Sequence, residues 1–132
     1  MWRAIIVFLL LWAVGESWSG VSNFSRNEHH REAGIWLAEQ AQETGTLVSN
    51  SRKVAYYADR HRDPRVWWGG KSTVFLLKLS KDRWPKAQFA AVRLQRGEIE
   101  LVADFTEAVG RSPLQIFENG RGDQVLVYDI KN

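Results

Sequence analysis

Apolar and polar positions follow three successive rhythms along this chain. An uncharged apolar run opens it, helical stripes alternate with short β-prone runs through the middle, and two apolar runs flank a glycine-rich turn near the end. Ser25 and Glu28 stand as S-x-x-E, a capping-box pattern that starts a helix near Arg26. Ala33, Trp36, Leu37 and Ala41 follow at i, i+3, i+4 and i+8 on one stripe, and Gly45 ends the element. Thr46-Leu47-Val48 reads as a short strand, and Ser49-Asn50-Ser51 as a turn with a helix N-cap. A second helix over Arg52–Arg60 places Val54, Tyr57 and Ala58 on one face, and Asp63-Pro64 stops it. Val66-Trp67-Trp68 reads as another strand, closed by Gly69-Gly70.

Ser72–Trp84 is ambiguous in isolation. Val74 to Leu77 fit a buried strand or a helix, and the charged residues that follow favour helix, with Pro85 as its stop. Gln88–Leu94 is a strand. Glu98–Val109 is a helix with Ile99, Val102, Phe105 and Val109 on one side and Gly110 behind it. Leu114–Phe117 and Val125–Tyr128 are strands joined through Asn119-Gly120-Arg121-Gly122-Asp123, a hairpin connection. Helices alternating with short apolar strands predict a small layered α/β domain of two or three layers. The expected form is Rossmann-like, with a mostly parallel sheet and a C-terminal β-hairpin as an antiparallel edge.

The opening run divides the chain into three parts: residues 1–20 as a membrane anchor or signal segment, 21–27 as a tether, and 28–132 as a soluble α/β domain. Ala4 to Val14 carries no charge and follows Arg3. As a signal peptide it has Ser17-Trp18-Ser19 as a cleavage site. As an anchor, Trp2 to Trp18 spans about 24 Å of helix, with an indole at each interface and the soluble part facing outward. Anchor is preferred over signal peptide, and both over a buried core helix. Asn23-Phe24-Ser25 matches a glycosylation sequon by chance frequency.

Composition changes this picture little. The chain has no cysteine, which excludes disulfides and thiolate chemistry, and its net charge of +3 comes from 18 basic and 15 acidic residues, too weak a surplus to point to nucleic acid. Gly69-Gly70-Lys71-Ser72-Thr73 resembles half of a phosphate loop, but the glycine required five residues before Gly70 is Arg65. His29 and His30 are adjacent, point to different sides of a helix and are expected at a solvated helix start, with no metal between them. Arg121-Gly122-Asp123 is explained by its turn. No acid–base pair, triad, cofactor motif or metal set stands out, so no catalytic activity is expected of this chain alone, and no cofactor. The strongest candidate for ligand binding is the basic, tryptophan-bearing loop with Arg60, Arg62, Arg65, Trp67 and Trp68. It suits lipid headgroups, a polyprenyl phosphate or an anionic polysaccharide.

Three runs, REAGIWLAEQ, TLVSNSRKVAYYADR and FENGRGDQVLVYDI, carry a resemblance across nearly the whole chain. Together they resemble the C-terminal extracytoplasmic domain of bacterial polyprenyl-phosphate-sugar-dependent membrane glycosyltransferases, of the protein mannosyltransferase and aminoarabinose transferase type. In that family a last membrane helix leads through a short tether into a small α/β domain. The family's catalytic acids lie in an early extracytoplasmic loop with no counterpart here, so the resemblance assigns no catalytic residue. It implies a periplasmic, membrane-anchored accessory domain or detached tail that partners a membrane-embedded transferase or its lipid-linked sugar. The alternative is a secreted periplasmic binding module for an anionic ligand. A small nucleotide-dependent enzyme built on Lys71 is the third reading.

Overall fold

The computed structural model describes residues 25–40, 47–59, 72–83 and 87–130. Their elements, in chain order, are helix α1 (25–40), strand β1 (Leu47–Ser49), helix α2 (Arg52–Tyr57), helix α3 (Thr73–Arg83), strand β2 (Phe89–Leu94), a 3-10 turn (Arg96–Glu98), helix α4 (Leu101–Val109), and strands β3 (Gln115–Glu118) and β4 (Gln124–Asp129). The ambiguous apolar quartet Val74–Leu77 is helical, and only Leu76 of it is fully buried. The second helix is shorter than the expected Arg52–Arg60, with a left-handed Asp59 just beyond its end. The apolar segment 1–20, the tether through residue 24 and the expected strand at Val66–Trp68 lie outside the described residues. Among the described residues no helix is long and apolar enough to cross a membrane.

The four strands form one mixed sheet in the order β1-β2-β4-β3. Only β1 and β2 are parallel, with Leu47 opposite Phe89 and Ser49 opposite Ala91; β2–β4 and β4–β3 are antiparallel. The expectation of a mostly parallel sheet is therefore corrected. The hairpin does not simply add to an edge: its second strand enters the middle of the sheet. Val125-Leu126-Val127-Tyr128 is apolar at every position and is buried on both faces, as a central strand must be. β3, with alternating polar residues and mostly exposed side chains, takes the edge.

Pleating sends alternate side chains to opposite faces. Leu47, Phe89, Ala91, Val125 and Val127 meet Ala33 and Leu37 of α1 and Val54 of α2. Val48, Ala90, Val92, Leu126 and Tyr128 meet Leu76 of α3 and Phe105 of α4. The domain is thus a three-layer α/β/α arrangement. On the first face α1 and α2 come very close: a Cβ on Gly34 would strike the Cβ of Tyr57, with the Val54 carbonyl 2.9 Å away. Glycine at 34 is what lets the two backbones touch. The ring of Tyr57, expected in the core, is 38% exposed, and Ala55 is buried instead. On the other face Gly110 ends α4 at φ 77°, the left-handed conformation its position predicted.

Candidate functional site

Four segments distant in sequence converge at the end of the sheet where β1 and β2 terminate. Parallel β1 and β2 direct their carboxyl ends, at Asn50 and Gln95, toward the same end of the sheet, β2 running three residues further than β1. Because β4 runs antiparallel to β2, with Leu94 opposite Gln124, the β3–β4 turn arrives at the same end. The start of α1 lies beside that turn, held by a hydrogen bond from Asn119 Nδ2 to the Arg26 carbonyl (3.1 Å). Between them is an open cleft of about 790 Å³, the size of a small-molecule site. The carboxyl ends of parallel strands are also where ligands bind in open α/β sheets.

The lining is predominantly polar and carries no apolar side chain. α1 contributes Arg26, Asn27, His29 and His30, and the β1–α2 connection contributes Asn50, Ser51, Arg52 and Lys53. The end of β2 adds Arg93, Gln95 and Arg96, and the hairpin adds Gly120, Arg121 and Asp123. Six cationic side chains therefore face a single carboxylate among the described residues. The positive surplus of this one concavity exceeds the net charge of +3 carried by the whole chain.

Side-chain amides fix the frame. Asn50 donates from Nδ2 to the Arg93 carbonyl (2.9 Å) and accepts the Arg93 N–H at Oδ1 (2.7 Å). Asn119, only 6% exposed, accepts the backbone N–H groups of Arg121 and Asp123 at Oδ1 and donates to Asp123 Oδ2. Asp123 Oδ1 in turn accepts the Arg96 N–H at 3.1 Å. The Asn119 amide, followed by that backbone donor, holds the Asp123 carboxyl below its ordinary value. The Arg-Gly-Asp tripeptide is thus a turn element whose aspartate is engaged internally. Lys53 Nζ is drawn to the rim by Asn27 Oδ1 (2.6 Å).

His29 and His30 overturn the expectation of a solvated helix start. They are 2% and 6% exposed, with rings tilted at 39° and centroids 4.0 Å apart. The stripe of α1 faces the sheet, and the hairpin and the β1–α2 connection close over the helix's first turns, which a helix read alone does not reveal. His30 Nδ1 lies 3.0 Å from Ser51 Oγ, while that hydroxyl oxygen also accepts the Val54 N–H at 3.3 Å. This serine caps α2 and is 4% exposed, so the pair is structural rather than a nucleophile and its base. Burial, then neighbouring His29, pushes His30 down to about 3. His29 is also lowered by burial, against the opposing pull of Asp123. Its Nδ1 and Nε2 are both buried and without a hydrogen-bond partner.

Among the described residues no cluster of three His, Asp or Glu could hold a metal. Arg60, Arg62, Arg65, Trp67 and Trp68, the binding loop expected from sequence, and Lys71 lie outside the described residues. Composition concealed the cleft because its cations are interspersed with acids along the chain; the available signal was that each sits next to a strand end or turn. No protein-family model matches the chain, and no curated protein or solved structure is significantly similar to it.

Proposed function

We propose that this domain is a non-catalytic binding module for an anionic ligand held in the basic cleft at the carboxyl ends of β1 and β2. The observation that carries this reading is the charge of the lining: Arg26, Arg52, Lys53, Arg93, Arg96 and Arg121 set against Asp123 alone. Guanidinium groups offer paired donors suited to carboxylate and phosphate oxygens, and concave walls focus their field. The predominantly polar lining, with no apolar side chain in it, suits a hydrophilic ligand, so a lipid-linked anion would enter by its head group.

The sequence resemblance and the apolar segment 1–20 support a setting for this activity. The module is membrane-anchored and extracytoplasmic, and serves a transferase that uses lipid-linked sugars. The cleft gives such an accessory domain something to hold.

Titration calorimetry of the full chain in non-ionic detergent with inorganic pyrophosphate tests the reading. Binding that weakens with added salt, and about tenfold or more in Arg93→Gln/Arg121→Gln, is expected. A triple variant Arg60→Gln/Arg62→Gln/Arg65→Gln separates the cleft from the loop. If that variant abolishes binding while the cleft variant leaves it intact, the ligand belongs to the loop and the cleft reading fails.

A further inference from the structure

We infer that the occupant of the cleft is a doubly charged tetrahedral oxyanion, that one of its oxygens hydrogen-bonds His29, and that His29 takes up a proton as the ion binds. This rests on the anion-binding reading above and adds the ligand's charge and the residue that completes its site.

Among the described residues, the ring nitrogens of His29 are the buried side-chain polar atoms left without a hydrogen bond. The residue is almost fully buried and borders the cleft. Buried polar atoms are nearly always satisfied, and an orphaned imidazole is a costly exception. Neighbouring His30 shows the contrast, since its Nδ1 meets Ser51 Oγ. An oxygen of a bound ion supplies what His29 lacks.

The charges around the ring set the proton's behaviour. Lys53 of α2 and Arg93 of β2 oppose protonation, whereas Asp123 of the hairpin favours it. His30 on the same helix stays neutral through the physiological range, being held at about 3. Arg96 and Arg121 add positive charge from the β2 end and the turn. A dianion placed among these cations reverses the local field, so the imidazolium, a donor at both nitrogens, becomes the favoured form. Donors approach from α1, the β1–α2 connection, the end of β2 and the hairpin. A tetrahedral ion presents oxygens in all of those directions, and a planar carboxylate does not.

Sulfate is the probe of choice, because it does not titrate near neutral pH. Calorimetry of sodium sulfate into the full chain in non-ionic detergent, in two buffers of different ionisation enthalpy, reads proton uptake directly. The expected result is uptake of about one proton per ion at a pH between the midpoints of free and bound His29, with affinity falling about tenfold per pH unit across that window and levelling off above it. His29→Gln is expected to keep sulfate binding and lose both the uptake and the pH slope. Wild-type binding without uptake, uptake that persists in His29→Gln, or acetate binding as tightly as sulfate overturns the inference. Failure of sulfate, phosphate and pyrophosphate alike to bind defeats the broader anion reading instead. Inorganic phosphate run alongside separates a phosphoester from a sulfate ester as the source, and either order of affinity supports a dianion site. Should His29→Gln not fold, imidazole nitrogen NMR of the wild type decides. Saturating sulfate near pH ~6.5 must convert the His29 nitrogens to the imidazolium pattern, and unchanged neutral shifts overturn the inference.

Discussion

The amide of Asn50 grips the backbone of Arg93 at both polar groups, donating to its carbonyl at 2.9 Å and accepting its N–H at 2.7 Å. It acts as one more step of the parallel ladder after β1 has ended at Ser49, and it fixes the chain from which Arg93 borders the cleft. Replacing Asn50 by alanine leaves both Arg93 groups without that partner, at a cost of about 1–3 kcal/mol. Urea unfolding measures this loss, and pyrophosphate affinity should fall with it. Asn50→Asp keeps only an acceptor and should be intermediate in stability.

Asn119 ties the β3–β4 turn to α1 and to Asp123 through four hydrogen bonds. Asn119→Ala should destabilise by about 2–4 kcal/mol, within the range for breaking a buried polar network. The same amide depresses the Asp123 carboxyl. Asp123 therefore contributes stability that is present above its unfolded value of 3.8 and is lost as pH falls through its lower folded value. Chemical denaturation of Asp123→Asn below and above that window should show a shallower acid slope than wild type.

Gly34→Ala sets a methyl group against Tyr57 Cβ and the Val54 carbonyl, which belong to backbone-anchored atoms that cannot swing aside. Overpacking of this kind costs about 1–3 kcal/mol. A thermal melt should show the loss, although alanine is intrinsically the better helix former. An unchanged or raised Tm would mean that α1 and α2 separate without penalty.

His30 gives the fold a pH dependence of opposite origin to that of a paired histidine. Its pKa falls from 6.5 unfolded to about 3 folded, so between those values the unfolded chain binds more protons and stability rises with pH. The contribution is complete above pH ~6.5 and drains away on acidification. His29, also lowered, acts in the same direction. In His30→Asn, whose amide can still reach Ser51, the urea midpoint should vary less between pH 4 and 7 than in wild type, both limits being approximate.

Local pattern reached a long way into this fold. The stripe of Ala33 and Leu37, the Asn50–Ser51 turn and cap, the Gln88–Leu94 strand, the Gly110 stop and the hairpin around Asn119 all stand where periodicity and turn chemistry put them. These features depend on neighbours within a few residues, which a sequence displays directly. The direction of the sheet did not follow in the same way. An apolar run such as Val125–Tyr128 announces burial on both faces, yet nothing in it says beside which strand it will lie.

The cleft belongs entirely to the second kind of information. Arg26, Lys53, Arg93 and Arg121 are separated by tens of residues, and each looks like an ordinary solvated charge beside a turn. Sequence by itself determined the elements, their order and the presence of a hydrophobic opening segment. Tertiary structure decided that one parallel pair and one inserted hairpin bring four segments to a common end. It also decided that two histidines at a helix start are buried there. Hydrogen bonds between residues 43 and 93 positions apart, from Asn50 to Arg93 and from Asn119 to Arg26, hold that end together. Long-range contacts of this kind depend on how the layers stack, and no local periodicity encodes them.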